Sequence, residues 1–109
     1  MHSWRYGFGQ LAPFIKTINI KDFQWVKKNG KWATESVPLG QGAVDFKGYF
    51  SLLRKSGISC PVSIHFEYPL GGADQGEKVL SMERTKVLDF MRKDLDYLTG
   101  RLREAGLKE

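Results

Sequence analysis

With 109 residues the chain has room for one domain and too little for two. A hydrophobic share of 41% with 13% aromatic residues can build a core, which excludes intrinsic disorder. The net charge of +5 admits a phosphorylated metabolite, a nucleic acid or an acidic surface as partner and selects none of them.

A lone cysteine, Cys60, excludes an internal disulfide framework, and its place beside Pro61 at a strand entrance reads as a small buried residue rather than a nucleophile. No run reaches the length of a membrane span, and "MHSWRYGFGQ" lacks the charged start and apolar middle of a signal peptide. The expectation is a protein of the cytoplasm with no membrane partner.

Trp4, Phe8 and Leu11 recur at helical spacing between Ser3 and Ala12, and Pro13 ends that short helix. "FIKTINIKDF" predicts a first strand with Ile15, Ile18 and Ile20 as its apolar set and Thr17, Asn19 and Lys21 facing the other way. In "FQWVKKNGKWATESV", Asn29-Gly30 between two Trp-bearing arms is the chemistry of a tight hairpin turn. "PLGQGAVDF" then opens a helix over about Phe46 to Ser56. Asp45 is placed to cap it, Val44 and Tyr49 to staple its first turn, and Gly57 to end it. "CPVSIHFEY" predicts a second strand, with Val62, Ile64, Phe66 and Tyr68 on one face and Ser63, His65 and Glu67 on the other. A long helix follows from about Val79 or Met82, its stripe running Val87, Leu88, Met91, Leu95, Leu98 and Leu102 before Gly106.

Strand, helix, strand makes the two strands parallel neighbours. A two-stranded parallel sheet leaves open edges and an uncovered face, and that face is polar: Thr17, Asn19 and Lys21 beside Ser63, His65 and Glu67. A closed parallel barrel would turn such a face into its lumen.

The stretches "IKTINIKDFQW" and "KWATESVPLGQGAVDFKGYFSLLRKSGISCPVSIHFEYP", with the terminal helix, resemble the last two strand-helix units of the sugar phosphate isomerase/epimerase family, over about Trp4 to Leu107. The resemblance implies an α/β fold: strands seven and eight of a xylose isomerase-like (β/α)8 TIM barrel, with about two thirds of a barrel of about 250 residues missing. It implies isomerisation or epimerisation of a sugar or sugar phosphate through an enediolate, which needs a carboxylate base and a positive centre for the oxyanion. The isolated chain is then expected to be inactive, and to need either a missing N-terminal barrel segment or self-association.

By the same resemblance Glu67 is the metal-binding glutamate at the top of the last strand, with Mn, Mg, Co or Zn as the divalent ion. Many relatives carry a metal-binding histidine three residues before the aspartate of the preceding strand, where this chain has Asn19, a poor ligand for a transition metal. His65, two residues before Glu67 on the same face, can reach substrate, orient Glu67 or be a hydrogen-bonded lumen residue. Lys21 offers a positive charge for a carbonyl or phosphate oxygen, or a salt bridge to a neighbouring carboxylate. Asp22 points the opposite way and braces the following loop. Asn19 and Trp25 are candidate substrate contacts. A different reading, a non-catalytic basic module for nucleic acid or another anion, rests on Lys27, Lys28 and Lys31 between Trp25 and Trp32.

Overall fold

A computed structural model describes residues 3–108 of the chain. In chain order it contains helix α1 (Ser3–Leu11), strands β1 (Ile18–Ile20), β2 (Asp22–Lys28) and β3 (Lys31–Val37), helix α2 (Phe46–Lys55), strand β4 (Val62–Ile64) and helix α3 (Arg84–Glu104). Short 3₁₀ turns occupy Ala12–Phe14 and Ala73–Gln75.

Local sequence chemistry accounts for most of these boundaries. Asn29 and Gly30, with φ of 50° and 75°, supply the two positive-φ residues of a tight hairpin, and β2 and β3 pair antiparallel around them with Lys28 opposite Lys31. Asp45 caps α2 by accepting from the Gly48 amide at 2.9 Å. At the other end Gly57 turns with φ of 66°, and the Ile58 amide returns to the Leu53 carbonyl. Gly106 ends α3 in the same way, with Leu107 N–H donating to Leu102 O. The start of α3 lies later than its apolar pattern suggests, because Gly71, Gly72 and Gly76, all at positive φ, wind the preceding segment into turns.

β1 and β4 pair in parallel with Ile18 opposite Val62 and Ile20 opposite Ile64, as the intervening helix requires. Ile18 and Ile20 bury one face of this pair against Phe8 of α1, Phe46, Phe50 and Leu53 of α2, and Leu98 and Leu102 of α3. The three helices meet on that side through aromatic rings. The Phe8 and Tyr49 centroids are 5.7 Å apart, and those of Phe46 and Tyr97 are 5.9 Å apart. Phe50, wholly buried, stands at the centre.

The TIM-barrel expectation is overturned. The described residues form two two-stranded sheets, one parallel and one antiparallel, with three α-helices; β1 and β4 are not strands seven and eight of a barrel. The reason lies at both ends of β1. The 3₁₀ turn Ala12–Phe14 consumes the start of the predicted strand, and at Asp22 the chain leaves the parallel pair for the hairpin. The ladder that remains is three residues a side, or about 7 Å at an ordinary strand rise. The polar face of Asn19, Lys21, Ser63, His65 and Glu67 is therefore an open outer face, each residue exposed, and no lumen. A strand-helix-strand unit is common to many α/β architectures, and closure into a barrel depends on strand number and stagger that such a unit does not encode.

Candidate functional site

Two carboxylates, Asp22 and Glu67, have opposite fates. Asp22 is 2% exposed and accepts four backbone hydrogen bonds: from Phe23 at 2.8 Å and Val44 at 3.2 Å on one oxygen, and from Gly40 and Gly42, both at 3.0 Å, on the other. Ala43 N–H adds a 2.7 Å bond to Phe23 O. The loop from Pro38 to Val44 is thus wound around one side chain, which is the bracing role read from the sequence. Gly42 is required there, since a Cβ would sit 2.2 Å from Phe23 O.

Strand alternation turns the preceding residue outward. Lys21 Nζ donates to both oxygens of Glu67, at 3.1 and 2.9 Å, across the C-terminal ends of β1 and β4. His65 Nδ1 lies 3.8 Å from Glu67 Oε1, beyond hydrogen-bond length. The hydrogen bond from Lys21 lowers the Glu67 carboxyl below its ordinary value. Partial desolvation opposes this, while the charges of Lys21 and His65 add to the lowering. The side chains of Lys21 and Glu67 are 57% and 46% exposed, so the pair is solvated and contributes little to stability.

The hairpin supplies a wall. Along β2, Phe23, Trp25 and Lys27 share a face, and across the ladder they oppose Ser36, Thr34 and Trp32. Phe23 and Trp25 meet edge to face at 5.9 Å. A cleft of about 290 Å³ lies where this face meets the ion pair, lined by Lys21, Asp22, Phe23, Trp25, Thr34, Ser36 and Glu67. Asn19 lies two residues below Lys21 on the same open face, opposite Ser63. Four of the sequence-predicted residues, Lys21, Glu67, His65 and Asn19, therefore lie on one face, and Trp25 borders it from the hairpin.

Further out, Lys27 Nζ is 5.9 Å from the centre of the Trp32 ring, and Trp25 and Trp32 are 59% and 67% exposed. Lys28 belongs to the opposite face, where it and Gln24 engage Glu35. Those contacts, Gln24 first, lower the Glu35 carboxyl.

As arranged, the site does not fit a resident divalent ion. Both Glu67 oxygens are held by an ammonium, and no group of three or more His, Cys, Asp or Glu side chains able to hold a metal occurs among the described residues. A wider hollow of about 680 Å³ under the Gly71–Met82 loop offers less chemistry, because Asp74 there accepts from the Leu70 amide in closing the loop itself.

Sequence reading missed Asp94. It is 2% exposed on α3, where Oδ2 accepts from Tyr68 Oη at 2.9 Å and Oδ1 from the Leu39 amide at 3.3 Å. Burial raises the Asp94 carboxyl, with the Asp22 charge adding, against the lowering from Tyr68 and Leu39. Burial, followed by the Asp94 bond, pushes the Tyr68 hydroxyl upward. The signal was present: Asp94 falls seven residues after Val87 and four before Leu98, inside the apolar stripe. Thr34 and Ser36 were also missed, since only the hairpin register brings them to the cleft.

No helix among the described residues is long and apolar enough to cross a membrane. No family model matches the chain, and neither a curated protein nor a solved structure matches it.

Proposed function

We propose that the cleft between the hairpin and the Lys21–Glu67 pair binds a sugar or sugar phosphate, in the proton-transfer chemistry of an isomerase or epimerase. One observation carries this reading: an indole face, two hydroxyls, an ammonium and a carboxylate line a single cleft at the ends of two parallel strands. A sugar ring lays its C–H face on Trp25 and its hydroxyls against Thr34 and Ser36, while Lys21 takes a carbonyl or phosphate oxygen. Drawing Lys21 onto substrate releases Glu67, whose carboxylate is then free to take the proton next to the carbonyl as Lys21 holds the enediolate oxygen.

The isolated chain binds without turning over. Water reaches Lys21, His65 and Glu67, so the open face does not shield an enediolate from solvent. On this reading the protein works in the cytoplasm, where its free Cys60 stays reduced.

The test is titration of the chain with a panel of aldoses, ketoses and their phosphates, followed by amide shifts of Lys21, Trp25 and Ser36. Saturable shifts that vanish in Lys21→Ala, with no exchange of the sugar's carbon-bound proton into deuterated water, are the expected outcome. No saturable shift with any member of the panel at millimolar concentration would sink the reading.

A second reading has its own support. Trp25, Lys27 and Trp32 form an exposed aromatic and cationic strip on one hairpin face, a surface suited to stacking a nucleic acid base beside a phosphate. It requires salt-sensitive binding that is lost in Lys27→Ala and Trp32→Ala and is indifferent to Glu67→Gln.

A further inference from the structure

α3 uses only part of its apolar stripe. Val87, Leu98 and Leu102 are buried in the body, whereas Leu88 and Leu95 are 57% and 43% exposed, with Met91 half-buried between them. Leu88, Met91 and Leu95 are spaced three and four residues apart, the spacing of a helix seam that meets another helix. Together with Val62, Ile64 and Phe66 they line an open apolar groove of about 620 Å³. The groove runs beside the outer edge of β4. Ile18 N–H bonds Pro61 O, and His65 N–H bonds Ile20 O, so the main-chain groups of Val62 and Ile64 point away from β1. A parallel pair with such an edge is marginal by itself.

The charges on the rim say what covers this groove. Asp89 and Arg92, one helical turn apart, both border it. Arg92 Nε reaches Asp96 of its own helix at 3.3 Å, while the Asp89 carboxylate has no hydrogen bond or ion pair with another described side chain. A two-fold axis passing between Asp89 and Arg92 sets each Asp89 against the Arg92 of the other molecule, in two equivalent pairs. A surface carrying one acid and one base around an apolar centre is complementary to itself, and adds no like-charge repulsion to a chain of net charge +5. We propose that a second copy of this chain packs on the α3–β4 groove, forming an isologous dimer through Leu88, Met91 and Leu95 with reciprocal Asp89–Arg92 pairs.

The proposal is independent of the sugar reading, because the groove and the Lys21–Glu67 cleft share no lining residue. Sedimentation velocity of the full chain over a wide concentration range tests it. A concentration-dependent dimer is expected, weakened at least tenfold by Leu95→Glu. Asp89→Arg and Arg92→Asp, both at exposed helix positions that leave circular dichroism unchanged, each weaken it alone. An equimolar mixture of the two restores association, since the mixed pair regains both opposite-charge contacts. A monomer at every concentration overturns the proposal, including a monomer whose groove takes an unrelated peptide. So does a dimer that ignores these substitutions but is lost in Trp32→Ala, or a mixture that fails to recover.

Discussion

Asp22 and Glu67 are both carboxylates next to a strand end, and their surroundings assign them different work. Asp22 is sealed from water and saturated by four main-chain amides, so any change to it is felt by the whole Pro38–Val44 loop. Glu67 is half exposed and answered by a lysine that can swing away. A buried carboxylate with rigid donors is part of the frame, and an exposed one with a flexible partner is available to a ligand.

The comparison breaks most visibly at Asp22. Asp22→Ala leaves the amides of Gly40, Gly42 and Val44 without their acceptor, and a loss of about 3 kcal/mol in urea unfolding is expected. An unchanged midpoint would refute the bracing role. Gly42→Ala forces a methyl into the space of Phe23 O and the Asp22 carboxylate, and the expected cost is about 2 kcal/mol by the same measurement.

Asp94 gives a smaller effect with a defined sign. Its carboxyl is raised in the folded chain above its ordinary 3.8, so the associated stability is complete below that value and is lost as pH rises through the folded one. Asp94→Asn lacks this dependence and has a single acceptor oxygen for Tyr68 and Leu39. Melting curves from acid to neutral pH are expected to show wild type ahead of the variant, with the gap narrowing as pH rises. A widening gap contradicts the raised carboxyl. At the small end, Glu67→Gln is expected to leave the melting temperature unmoved and the Lys21-dependent ligand shifts intact, because it loosens the partner that competes for the Lys21 ammonium; a clear drop in melting temperature would make Glu67 a frame residue like Asp22.

Sequence and structure agree where the deciding interactions are local. The Asn29-Gly30 turn, the Asp45 cap and the Gly57 and Gly106 stops each depend on residues within a few positions, and each was legible. The pairing of β1 with β4 was also legible, because a helical crossover permits little else. The extent of the strands was not. The alternation of "FIKTINIKDF" puts Asp22 on the face of Ile18 and Ile20 but does not reveal that amides some twenty residues away hold it there, and that long-range contact ends β1 and starts the hairpin. For the same reason Lys21, Glu67 and His65 could be placed on one face, whereas Thr34 and Ser36 needed the hairpin register to join them. The α3 stripe was read as one surface, and only the packing divides it into a buried half and the exposed Leu88 and Leu95.

The winding of the Pro38–Val44 loop around Asp22 also bears on how freely the protein can vary. The anchor takes hold of main-chain amides alone, at Gly40, Gly42 and Val44, while the side chains of Gln41 and Ala43 point to solvent. Gln41 and Ala43 can therefore be randomised without loosening the loop. The peptide joining Lys21 to Asp22 keeps the ammonium in register with Glu67 while they change. The loop is rigid in shape and permissive in sequence, which makes those two positions the natural place to evolve or engineer new surface chemistry.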